Sequence, residues 1–137
     1  MMHVGSLIYF LAWITECMPL LEQPVESCLP KIKPLATVLS LTGATRTQTW
    51  HGSFGGKTPE PLQLWHVNAL YHEMWRPKPT QKFETQLVTS TTSKTGKKQF
   101  TGAKDMKDSQ EYSEEFCKEV ARITCEIRDS SMLYIDD

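Results

Sequence analysis

Asp108-Ser-Gln-Glu-Tyr-Ser-Glu-Glu-Phe-Cys-Lys-Glu-Val-Ala-Arg-Ile-Thr-Cys-Glu-Ile-Arg128 carries the plainest periodicity in the chain. Wound as a helix, it places Tyr112, Phe116, Val120, Ile123 and Ile127 within an arc of about 80°. Asp108 and Glu111 read as a capping pair and Asp129-Ser130-Ser131 ends the run, which predicts a helix over 109–128. Glu114 with Lys118, and Arg122 with Glu126, stand at the i,i+4 spacing of helical ion pairs. An isolated helix of this length is marginal in water, so its oily stripe demands a surface to dock on.

The segment just before it offers little such surface. Eight of the 17 residues from Thr85 to Thr101 are Ser or Thr, and apolar side chains are sparse from 79 to 107. That stretch reads as a solvated, disordered linker, with an edge strand at Glu84–Thr89 as its one ordered candidate. Ahead of it, residues 61–76 lie between Pro61 and Pro77 and predict a second amphipathic helix. There Leu64, Val67, Leu70, Tyr71, Met74 and Trp75 share an arc of about 140°. Trp65 falls outside that arc and is expected to be the exposed tryptophan.

Leu35-Ala-Thr-Val-Leu-Ser-Leu-Thr42, rich in aliphatic and β-branched residues and closed by Gly43, predicts a buried strand. Pro19, Pro24, Pro30 and Pro34 make residues 19–34 an extended connector. Thr45 to Lys57 reads as a loop or one side of a hairpin. At the other end, Met132–Ile135 could form a short strand. The N-terminal run Leu7–Ile14 is uninterrupted and apolar, within a stretch from 4 to 21 that Glu16 and Pro19 break. It is short of the roughly 20 residues a spanning helix needs. No basic segment precedes it, as a secretory leader would have. It predicts a buried helix or strand, with a signal or membrane anchor as the alternative.

The 137 residues suffice for one domain, divided by composition into 1–78, 79–107 and 108–137. Leu, Ile, Val and Phe total 30 residues, enough for a modest core. The net charge of -1 conceals opposed blocks. Residues 78–107 hold seven Lys against two acids, and residues 108–137 hold nine acids against three bases. Blocks of opposite sign can satisfy each other, so the basic one need not await a nucleic acid, and no aromatic platform for stacking accompanies it.

The motifs with chemical promise lack essential parts. Gly52-Ser-Phe-Gly-Gly-Lys-Thr58 has the end of a P-loop, but His51 stands where the first glycine belongs. Thr42-Gly43-Ala44 resembles the opening of the dinucleotide fingerprint of short-chain dehydrogenases. The glycines that let backbone approach a pyrophosphate do not follow it. His66 and His72, placed on one helix, would diverge by about 120° and could not share a metal ion. Cys17, Cys28, Cys117 and Cys125 form no C-x-x-C pair.

These features predict an α+β or mainly α protein: a small, partly disordered single domain with two amphipathic helices and few strands. The expected function is a non-enzymatic interaction or accessory role with a protein partner and without cofactor or metal. The binding candidates are Leu64, Trp65, Val67, Leu70, Tyr71 and Trp75 from the first helix, and Tyr112, Phe116, Val120, Ile123 and Ile127 from the second, with the two faces docking on each other or on a partner subunit. The alternative is a small secreted or membrane-anchored protein using residues 4–21.

Overall fold

The computed structural model describes residues 4–83, 88–102 and 111–132. Its elements define an α+β fold. Helix α1 (Val4–Ile14) leads to strand β1 (Leu20–Pro24), a 3-10 turn at Leu29–Lys31 and helix α2 (Lys33–Leu41). Strands β2 (Thr45–Trp50) and β3 (Pro61–His66) follow, then a 3-10 helix at Ala69–Met74. A hairpin of β4 (Val88–Thr92) and β5 (Lys98–Gly102) precedes helix α3 (Glu114–Met132).

Strands β1, β3 and β2 form an antiparallel sheet with β3 in the centre. Alternation along β3 sends Leu62, Leu64 and His66 to one side and Gln63 and Trp65 to the other. On the first side, Leu62 and Leu64 join Phe54, Tyr71, Met74, Phe116, Ile123 and Ile127 in the main core under α3. On the second, Trp65 and Leu21 pack on a smaller core of Tyr9, Leu35, Val38 and Leu39 from α1 and α2. The sheet is therefore sandwiched between two helical layers, and each carries its own apolar cluster.

That sandwich explains why the expected helix over 61–76 is instead a strand followed by a 3-10 helix. A central strand covered on both faces buries consecutive side chains and loses the in–out alternation that marks a half-exposed strand. Pro61 is tolerated as the strand's first residue. Asn68 divides the segment: its side chain accepts a hydrogen bond from the Leu70 amide at 2.9 Å and starts the 3-10 helix. The helical arc therefore describes only the second half.

The strand expected at Leu35–Thr42 is helix α2. Pro34 lies in its first turn, where the missing amide costs nothing. Leu35, Val38 and Leu39 then fall at i, i+3 and i+4, all buried. Pro34 thus opens a helix, where its cluster of prolines had suggested an extended connector throughout. The rest of that connector is extended only at β1.

Helix α3 begins later and ends later than expected. Its cap is Ser113, whose carbonyl accepts from the Cys117 amide at 3.1 Å and whose hydroxyl accepts from the Phe116 amide at 3.3 Å. Asp108 lies outside the described residues. Both expected helical ion pairs form, Lys118 to Glu114 at 2.6 Å and Arg122 to Glu126 at 2.9 Å. Arg122 also reaches Glu73 at 2.6 Å, tying α3 to the 3-10 helix.

The segment expected to be a disordered linker contains the β4–β5 hairpin, closed by Ser93 and Lys97 with Gly96 at a φ of 78°. Side chains 90–99 are all exposed. Of the expected edge strand Glu84–Thr89, residues 84–87 lie outside the described residues, as do 133–135 of the expected terminal strand.

Candidate interaction surfaces

Most of the anticipated docking residues are used inside the fold. Leu64 and Ile123 are fully buried, and Tyr71, Phe116 and Ile127 nearly so. Trp65, Val67, Leu70 and Val120 are half-buried, and only Tyr112 and Trp75 stay well exposed. The two anticipated faces meet each other: residues 64–74 and the α3 stripe close the main core together. Trp65, expected outside, packs on the α1–α2 core, while Trp75 is 61% exposed. Beside β1, the α3 stripe still borders a cleft lined by Leu20, Glu22, Tyr112, Phe116 and Val120.

Three polar clusters brace this core. His66 ends β3 fully buried, and its Nε2 lies 2.9 Å from the Thr47 hydroxyl on β2. The same hydroxyl lies 2.7 Å from Nδ1 of His72. A hydroxyl has one proton to donate, so at most one imidazole accepts from Thr47 and at least one donates to it. The two rings meet edge to face at 4.8 Å. The helical reading of 61–76 had set these histidines apart; a strand followed by a tight turn brings them together. Burial, and secondarily the neighbouring His72, push the His66 pKa down to about 4, against a carbonyl contact from Asn68. Among the described residues, no group of three or more His, Cys, Asp or Glu side chains could hold a metal ion.

The second cluster holds the start of α3. The Ser113 amide donates to Nε2 of His51 at 3.3 Å, so the neutral ring carries its proton on Nδ1, 3.3 Å from the Thr58 hydroxyl. Burial lowers the His51 pKa and favours this neutral form. The P-loop-like segment is thereby built as a tight turn: Gly55 takes a left-handed φ of 73°, and a Cβ on Gly56 would lie 2.7 Å from the His51 carbonyl. In the third cluster, the Tyr112 hydroxyl donates to Glu22. Burial raises the pKa of Glu22, and burial followed by the charge of Glu22 raises that of Glu60.

The outer layer is built differently. Helix α1 buries Ser6 and Tyr9 and exposes Leu7, Ile8, Leu11, Trp13 and Ile14. Its polar hydroxyls face inward and its largest aliphatic side chains face water. Ser6 Oγ has no hydrogen-bond partner among the described residues. Beside it, Phe10 and α2 residues Lys33, Pro34, Thr37, Val38 and Leu41 line a groove of about 430 Å³. Leu41 is 69% exposed, and Ile32 just before α2 is also exposed. The sequence marked the apolar run of α1. It missed the α2 wall, because a buried strand has no outward groove. No helix among the described residues is long and apolar enough to cross a membrane.

No protein-family model matches the chain, and no curated protein or solved structure matches it.

Proposed function

We propose that this chain is a small non-enzymatic interaction protein that docks through a helical apolar surface. The observation that carries the proposal is the inverted helix α1. A helix on a water-soluble surface normally turns its apolar stripe inward and its polar side out. Here Leu7, Leu11 and Ile14 form an outward stripe at i, i+4 and i+7, with Ile8 beside it, on a helix without a charged side chain. A contiguous exposed apolar face is the mark of an interaction site.

The polar clusters support the same reading. Each ties one part of the fold to another: β2 to the 3-10 helix through Thr47, the cap of α3 to the turn at 51–54 through His51, and the residue before that cap, Tyr112, to β1 through Glu22. Their hydrogen bonds are consumed in holding the sheet and α3 together. The faces expected from sequence act as the internal dock, and the partner-facing role passes to α1 and α2.

A photo-crosslinking side chain at Ile8 tests the proposal, with one at Thr91 in the exposed hairpin as the control. Irradiation in native cell material should give a discrete adduct, protein or lipid, from Ile8 and none from Thr91. Equal or absent labelling at the two positions would end the docking reading.

A further inference from the structure

We infer that the surface docked by α1 and α2 is an anionic lipid bilayer, with α1 lying along the interface; this rests on the docking reading above. Length sets the orientation. The eleven described residues of α1 extend about 16 Å, roughly half of a hydrocarbon core, and with one side packed on α2 and the other apolar they suit a helix lying flat. In that pose Leu7, Leu11 and Ile14 point into the acyl region, and Trp13 stands at the helix end, where an indole suits the headgroup boundary.

The chemistry of the face selects the occupant. A specific protein interface carries about one hydrogen bond per 100–200 Å² to fix its register. Among the described outward positions of α1 the indole N–H of Trp13 is the one polar group, and the adjoining groove is walled by Phe10, Pro34, Val38 and Leu41, with Thr37 and Lys33 as its polar members. A fluid acyl phase asks for no register. Charge then selects the lipid class: Lys33 lines the groove, Lys31 is exposed two residues before it in the chain, and neither α1 nor α2 contains an acid. The nearest acid to α1 in sequence, Glu16, lies past its last turn. Lysines beside an apolar face match anionic headgroups over buried acyl chains.

The full chain should float with vesicles containing phosphatidylcholine and phosphatidylserine, and bind pure phosphatidylcholine vesicles more weakly. Leu11→Asp should abolish flotation. Lys31→Gln and Lys33→Gln should each weaken it about fivefold and leave folding untouched, since both side chains are exposed. Equal binding to both vesicle types would overturn the anionic part of the assignment, and binding to neither would overturn the membrane assignment. Where vesicle binding fails, either of two results leaves the docking reading standing: self-association in sedimentation that Leu11→Asp abolishes, or a single protein adduct from the Ile8 crosslinker. Absence of vesicle binding, self-association and adduct together would remove both.

Discussion

The Tyr71 hydroxyl stands 2.8 Å from that of Thr124, 53 residues further along the chain. Thr124 spends its own proton on the Val120 carbonyl at 2.8 Å, so Tyr71 is the donor between the two hydroxyls. This bond joins the 3-10 helix to α3 at the edge of the main core. Tyr71→Phe keeps the buried ring and removes only the bond, so urea denaturation should show a loss of about 1 kcal/mol. Added to Thr124→Val it should cost much less, because the partner is already gone. Full additivity of the two changes would show that the bond contributes nothing.

Ile123 is the fully buried centre of the α3 stripe, with Ile127 one turn after it and Phe116 two turns before it. Ile123→Ala removes three methylene-equivalents from a packed site and should lower stability by about 2–5 kcal/mol. Amides of α3 should lose protection from hydrogen exchange in step, since the helix depends on its dock. A loss below about 1 kcal/mol would mean that α3 is not seated on the sheet.

Ser6 offers a change of opposite sign. Its hydroxyl is buried with no partner among the described residues. Ser6→Ala removes a desolvated polar group at little cost in volume, so the thermal midpoint should stay level or rise, by up to about 1 kcal/mol of stability. A marked fall would reveal a partner for that hydroxyl in the folded protein.

The buried His66 couples stability to pH, and His51, also buried and lowered, acts in the same sense. The folded His66 pKa of about 4 lies below the ordinary value of 6.5, so the neutral ring is the form the fold prefers. Its stabilising contribution is complete above pH 6.5 and drains away as pH falls toward 4, where the unfolded chain binds the proton first. Glu22 and Glu60, with raised carboxyl pKa values, act in the opposite sense. The ring is therefore best followed by NMR: the His66 Cε1 proton should titrate near pH 4 or not before acid unfolding. A midpoint near 6.5 would place the ring in solvent.

Sequence alone determined the α3 stripe, its two i,i+4 ion pairs and the need for that stripe to be covered, because helical periodicity and pair spacing are local properties. It also marked the apolar α1 run. Only the tertiary structure decided that 61–66 is a strand, since burial from both sides erases the alternation by which a strand is read. The same packing drew His66, Thr47 and His72 together from separate elements. It also turned the small and polar face of α1 inward: Ser6 and Tyr9 meet the compact α1–α2 core, which leaves the bulky aliphatic residues facing out. A local pattern says which residues are apolar; the shape of the layer beneath decides which of them are hidden.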